Sequence, residues 1–336
     1  MINTKHCYII AEIGINHEGN INLARKLIKK ARKGGANAVK FQFFEANTMA
    51  FQNSKKTNDQ KKRTSKKESL YEMWKRMELS FEDLIKLKKE AKKNELDFIC
   101  SIFDINSLKI AKKVRIDAYK VASSDITDVI LLKELSKEKR PIILSTGMAS
   151  IHEISEALKI LKKNNVYLLH CVSMYPVPEK YINLKRMLSL KKLSKKIGFS
   201  DHTNNVFASI QSISMGAKII EKHFTYNKNK KGADHSISAE VDDLKLISNF
   251  SKNYFLRLGD GKIEPSNKEK LMRNFFRKSF YYNSDLKKDS IINKNNISLR
   301  RPLKGLVAGK YKKIINKKLR TNVKKNQPVR DDHLIS

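Results

Sequence analysis

The sequence predicts an α/β fold in which eight parallel strands close into a ring, and three observations predict it. Eight short β-rich runs alternate with stretches of helical periodicity. The alternation occupies about 250 residues, the size of a TIM (β/α)8 barrel. Polar residues gather at the carboxyl ends of the runs, and in a closed barrel those ends converge on one face, where side chains from the whole chain line a single pocket. A doubly wound sheet also alternates strand with helix, but no GxGxxG or P-loop pattern follows any run.

The elements follow in order. CYIIAEIG (7–14) carries Glu12 and precedes the amphipathic INLARKLIKKARK. AVKFQFF (38–44) carries Lys40 and Gln42. The polar, Lys-rich stretch 53–69 after it reads as a long mobile loop, and FEDLIKLKKEAKK restores helical spacing. DFICSIF (97–103) carries Ser101 and precedes SLKIAKKV; AYKVAS (118–123) brings Lys120, Ser123 and, just beyond, Asp125. PIILSTG (141–147) ends near Ser145. Ser150 with Glu153 then makes a capping box for IHEISEALKILKK, which leaves His152 as an exposed first-turn residue. VYLLHCV (166–172) contributes His170 and leads to Tyr175. KIGFSD (196–201) ends in Ser200 and Asp201, with His202 next, and after FASIQSISMG, a core-packing stripe, KIIEKHF (218–224) carries Glu221 and His223 near its end. After residue 255 the texture turns polar, with Gly and Pro. The division this suggests is a barrel over 1–258, a linker over 259–276 and a small irregular domain over 277–336, near the lower size limit for independent stability.

Seventy Lys and Arg against thirty-four Asp and Glu give a formal charge of +36. The lysines are scattered between apolar residues along the whole chain, as on solvated helix faces, so they suggest a general attraction for anionic small molecules and no nucleic-acid stripe. A basic protein that binds nucleic acid or anionic glycan is the rival reading of another class. Its complexes would weaken steeply with salt. Cys7, Cys100 and Cys171 sit in apolar runs with no CxxC, as buried thiols of a cytoplasmic protein would. No run has the length of a membrane span or a signal peptide, so no membrane partner is expected.

Neighbouring parallel strands lie ~4.8 Å apart, which lets His202 and His223, on the last two strands, reach one ion. Two imidazoles leave coordination positions open, which suits a catalytic manganese or magnesium ion better than a closed zinc site. The plainer alternative is that each histidine satisfies one hydrogen bond at a strand end. Their pairing beside Asp201 and Glu221 favours the metal. Lys40 and Lys120 lie in β-rich runs, where an ammonium must be paired or face the barrel mouth. With Ser101, Ser123, Ser145 and Ser200 they form a ring of donors for a phosphate or carboxylate, unless each lysine pairs with a carboxylate such as Glu12 or Asp125. Carboxylates are also the acids and bases such chemistry needs. His6 and His333 carry no assignment.

IIAEIGINHEG, VKFQ, YKVASSD, ILSTGM, LLHCVSMYPVP, GFSDHT, EKHF and GADHSIS stand in this order and together resemble the sialic acid synthase family, N-acetylneuraminate synthase with its legionaminic and pseudaminic acid synthase relatives. SLRRP in the tail resembles the antifreeze-like (SAF) domain that follows the barrel in that family. The resemblance implies an enzyme that condenses phosphoenolpyruvate with an open-chain N-acetylated amino sugar to a nine-carbon 2-keto acid and phosphate. N-acetylmannosamine is the first acceptor expected, and a 2,4-diacetamido-trideoxyhexose the alternative. It also implies that His202 and His223 bind a divalent metal, Mn2+ foremost with Mg2+ or Co2+ possible, and join Glu12 and Asp125 as the catalytic set. Lys40, Lys120, Ser101, Ser123, Ser145 and Ser200 would hold phosphoenolpyruvate, and Glu12, Gln42, Tyr175 and Asp234 would face the sugar. Arg301, before Pro302, would reach the partner's site in a domain-swapped homodimer. Several positions depart from the pattern: Asp125 where glutamate is common, Ile102 for a proline, Ser173 for an asparagine of some members, and KKDS for KKGE. Asp125 leaves open a third reading, a catalytically dead sugar-binding relative.

Overall fold

The computed structural model describes residues 6–65 and 67–335, with Asp59 by its backbone alone. Eight strands pair in parallel in chain order and β8 closes on β1: β1 (Tyr8–Gly14), β2 (Ala38–Gln42), β3 (Asp97–Ile102), β4 (Ala118–Val121), β5 (Ile142–Ser145), β6 (Val166–Cys171), β7 (Ile197–Asp201) and β8 (Ile219–His223). Helix α1 (Ile21–Lys33) follows β1. After β2 come α2 (Ala46–Met49), α3 (Asn58–Arg63), α4 (Leu70–Arg76) and α5 (Phe81–Lys93). One helix then follows each remaining strand: α6 (Ile105–Val114), α7 (Val129–Leu135), α8 (Ile151–Ile160), α9 (Arg186–Leu190), α10 (Phe207–Ser214) and α11 (Val241–Leu258).

Alternation along each strand builds the barrel in layers. Outward residues such as Ile9, Ala11, Val39 and Phe41 join the main core with helix residues such as Leu27, Ile28, Leu84 and Leu87. Inward residues Tyr8, Ile10, Ala38, Ile99, Ala118, Ile143, Tyr167, Leu169 and Ile219 form a separate apolar floor. On β7 the floor position is Gly198, and the space requires it: a Cβ there would lie 2.4 Å from the Ile219 carbonyl oxygen and 2.6 Å from Leu169 Cδ2. Two residues above the floor, each strand presents a polar or thiol side chain: Glu12, Lys40, Ser101, Lys120, Ser145, Cys171, Ser200 and Glu221. This layer faces the carboxyl-end mouth.

Helices with a clear apolar stripe match their sequence spacing. α1 buries Ala24, Leu27, Ile28 and Ala31 and is capped by the Asn20 side chain, and α8 begins on the Ser150/Glu153 capping box with His152 exposed. The stretch 53–69, expected as a loop, contains α3, begun by a Thr57/Gln60 capping box. The helices after β4 and β6 carry no readable period: α7 is apolar almost throughout, and α9 has five residues.

The chain divides into two compact units, Met1–Gly259 and Asp260–Ser336. Apart from Gly259, the expected linker lies in the second unit and contains α12 (Asn267–Phe276), which starts on a Ser266/Glu269 capping box and buries none of its residues. In the same unit β9 (Ser279–Tyr282) pairs antiparallel with β10 (Ile297–Arg300), and with α13 (Tyr311–Ile314) they enclose a core that includes Phe280, Tyr282, Ile297, Ile314, Leu319 and Val329. Among the described residues no helix is long and apolar enough to cross a membrane. The three cysteines are free and buried.

Candidate active site

A cavity of about 630 Å³ opens above the polar layer, and all its lining residues come from the first unit. At its base three charged side chains, Lys40, Glu12 and Glu221, meet. Lys40 Nζ lies 2.8 Å from Glu12 Oε2, 2.9 Å from Ser101 Oγ and 3.8 Å from Glu221 Oε2. Glu12 Oε1 accepts from Gln42 Nε2 at 3.0 Å, and Glu221 Oε1 accepts from Ser200 Oγ at 2.8 Å. Burial would lower Lys40, but Glu12 and Glu221 outweigh it and hold the ammonium above its ordinary pKa. Burial would likewise raise Glu221, but Lys120 and Lys40 keep it below the usual carboxylate range. Glu12 goes up, because burial and the neighbouring Glu221 outweigh the pull of Lys40.

Lys120 differs. Its Nζ donates to the Val121 carbonyl at 2.8 Å, and among the described residues it forms no ion pair within 4 Å. Burial lowers its pKa, with Glu221 opposing. An anion entering the cavity meets this ammonium directly. Beside it the Ser145 hydroxyl is buried without a hydrogen-bond partner among the described residues, and Ser123 Oγ accepts from the Gly147 backbone N–H at 3.0 Å. A buried polar atom without a partner is costly unless a ligand supplies one.

His202 and His223 stand in the next layer with ring centroids 5.4 Å apart. His202 Nδ1 lies 2.9 Å from the Val172 carbonyl, so Nδ1 carries a proton. Burial would lower His202, but Cys171 and the Val172 carbonyl outweigh it and hold the ring above its ordinary pKa, so a metal at Nε2 would have to displace a proton there. His223 Nδ1 is buried without a hydrogen-bond partner among the described residues and stands 3.7 Å from Asp234 Oδ2. Burial first, then the positive charges around it, holds His223 well below the usual histidine pKa, as the neutral imidazole a metal requires. No group of three His, Cys, Asp or Glu that could hold a metal occurs among the described residues. The pair therefore fits an open site, completed by water or substrate oxygens, and does not fit a closed one.

Of the residues singled out by sequence, Glu12, Lys40, Gln42, Ser101, Lys120, Ser123, Ser145, Tyr175, Ser200, His202, Glu221, His223 and Asp234 all line the cavity. The Tyr175 ring packs on His202 with centroids 4.2 Å apart. Asp125 does not reach the wall. It sits half-buried in the 3-10 turn after β4 and accepts from Ser124 Oγ at 3.1 Å, while Ser123 and Ser124 take the lining positions. Asp201 and His170 also face away, because alternation turns them outward from the barrel. Asp201 pairs with Lys222 at 3.3 Å and accepts from Ser209 Oγ at 2.6 Å, and His170 Nε2 meets the Ile182 carbonyl at 2.7 Å. Arg301 lies exposed in the second unit.

Several lining residues were not read from the sequence. Thr57, Gln60 and Arg63 reach the cavity from α3 and its N-cap, and Met49, Met73, Trp74 and Phe103 form an apolar wall beside Ile15. They lie on loops and short helices, where periodicity is silent. The quoted strings INHEG and GADHS meet in space: Glu18 Oε1 lies 3.0 Å from His235 Nε2, and Asn16 Nδ2 donates to the Phe224 carbonyl and to Ser238 Oγ. This network fixes the loop after β8 and with it Asp234 beside His223.

A family profile described as the NeuB family matches residues 27–263, and one described as the SAF domain matches residues 277–335. The N,N'-diacetyllegionaminic acid synthase of Campylobacter jejuni is 38% identical over 333 residues, covering 97% of this chain and 100% of that protein. The enzyme of the same name from Legionella pneumophila is 33% identical over 336 residues, covering 98% of this chain and 94% of that protein. The crystal structure of an N-acetylneuraminic acid (sialic acid) synthetase from Leptospira borgpetersenii, in complex with citrate, is 33% identical and superposes with a TM-score of 0.72 over 80% of this chain and 90% of that one.

Proposed function

The chain belongs to the NeuB family, and on that premise we propose that it joins phosphoenolpyruvate to the aldehyde of an open-chain N-acetylated amino sugar, giving a nine-carbon 2-keto acid and phosphate. The observation that carries this reading is the buried Lys120, unclaimed by any carboxylate within 4 Å among the described residues, beside the unpartnered Ser145 hydroxyl. C3 of phosphoenolpyruvate forms the new bond to the aldehyde carbon, whose oxygen takes a proton and becomes a hydroxyl. Water adds at C2, the C2–O bond to phosphorus breaks, and the carbonyl of the keto acid remains.

This chain's residues would do the following. Lys120, Ser123 and Ser145, with Lys40 and Ser101 beside them, hold the phosphate and carboxylate. Glu12 and Glu221 keep Lys40 charged, and Gln42, Tyr175 and Asp234 orient the sugar. A divalent metal at His202 and His223, Mn2+ or a similar ion, would polarise the aldehyde when bound. Glu12, with its raised pKa, is the carboxyl best placed to exchange a proton in the cavity.

The apolar wall of Met49, Met73, Trp74 and Phe103 favours an acceptor with a 6-deoxy methyl and a second acetamido group over N-acetylmannosamine, and the names of the two full-length relatives support the same choice. The second copy in a swapped dimer, with Arg301 as its contribution, is supported by the exposed Leu271, Phe275 and Phe276 of α12. A reducing, cytoplasmic setting fits the free buried thiols.

Phosphate release from phosphoenolpyruvate, measured with each sugar and Mn2+, tests the reading. Release is expected only with sugar present, faster with the 2,4-diacetamido-trideoxyhexose, and absent in folded His202→Ala. Sugar-independent release, or none with either sugar, sinks it.

A further inference from the structure

α3 carries Gln60 and Arg63 into the cavity lining, yet it has six residues and no apolar stripe. A helix of that length does not hold its place in water by itself. What anchors it is Lys56, the residue before its N-cap, which is only 5% exposed. The Lys56 ammonium meets three acceptors: Thr64 Oγ1 at 3.1 Å, the Ser65 carbonyl at 3.0 Å and Glu68 Oε2 at 2.9 Å. An ammonium has three protons, so its capacity is filled. Thr64 and Ser65 lie just past the end of α3, and the Thr64 hydroxyl donates back to the Gln60 carbonyl at 2.7 Å. One side chain thus ties the start of α3 to its end. Glu68 also takes Arg76 Nε of α4 at 2.9 Å, and α4 supplies Met73 and Trp74 to the same cavity.

Burying a lysine costs desolvation that an apolar side chain would avoid, so its use here calls for a geometric reason. The wall it organises stands on the Asp234 side of the cavity, because Met73 and Trp74 pack in one apolar cluster with Ala233, the residue before Asp234. The strand lysines and serines that meet the anion do not depend on it.

We propose that Lys56 is a positioning residue for the acceptor sugar: by closing the turn around α3 it sets Gln60 and Arg63 against the acceptor end of the cavity. This rests on the reaction proposed above. The test compares Lys56→Met, Glu68→Gln and Lys56→Arg with the wild type in steady-state kinetics, thermal melts and limited trypsin digestion of the full chain. In the first two variants the acceptor KM is expected to rise about tenfold, with the phosphoenolpyruvate KM within about twofold and Tm within ~3 °C. Trypsin should cut faster at residues 61–63 in both, and Lys56→Arg should restore the wild-type values. A parallel rise in both KM values, or unchanged kinetics with unchanged cleavage, overturns the proposal. If the wild type turns over neither sugar, the reaction is misassigned; unchanged cleavage in Lys56→Met would then still overturn the anchoring role, and faster cleavage would support it.

Discussion

At the residue scale, the site is a competition between burial and neighbouring charge. Lys40 is already paired with a carboxylate before any substrate arrives, while Lys120 meets a carbonyl and no carboxylate within 4 Å among the described residues. Lys120→Met is therefore expected to raise the KM for phosphoenolpyruvate by about 10- to 100-fold, the worth of charge-assisted hydrogen bonds of ~1.5–3 kcal/mol. The acceptor KM should change little, and steady-state kinetics with each substrate varied checks both. Asp125 shows the other sign. Burial pushes its carboxyl up to about 6, against the pull of the Ser124 hydroxyl and Lys120. The folded state thus favours the protonated acid, a contribution full below the ordinary aspartate range and lost as pH rises through about 6. Melting Asp125→Asn beside the wild type across pH 4 to 8 should show the variant gaining relative stability through that window. Most of the strand-end residues read from the sequence line the cavity. Asp201 and His170 do not, because one residue of alternation separates the cavity from the helix layer, and Asp125 does not, because a tight turn sets the side chain's direction.

At the element scale, each strand contributes a floor residue, apolar on all but β7 where it is Gly198, and, two positions on, a polar or thiol one, so the pocket repeats a single pattern. Gly198 completes the floor because β8 and Leu169 leave no room for a methyl group. Gly198→Ala is expected to destabilise the barrel by about 1–3 kcal/mol through overpacking, read as a lower denaturant midpoint with an unchanged slope. Helices with caps and an apolar stripe, α1 and α5, were legible to the residue. α3, α7 and α9 were not, because a short helix, or one that is apolar all round, carries no period.

At the scale of the whole molecule, the two units have separate cores. If a second copy supplies Arg301, an inactive His202→Ala chain and an inactive Arg301→Ala chain should complement when co-expressed. Random pairing would leave about a quarter of the sites intact. Activity no higher than either variant alone would count against the swap. The charge of +36 should act as steering, raising the KM for phosphoenolpyruvate with ionic strength.

The sequence by itself determined the barrel, its strand order and the type of side chain at each strand end, because alternation and apolar runs are local properties. Only the tertiary structure decided which of those side chains share a cavity, which lysine is left for an anion, and that a helix held by Lys56 forms one wall. Those outcomes depend on register across the ring and on contacts between residues far apart in the chain or on loops without a period.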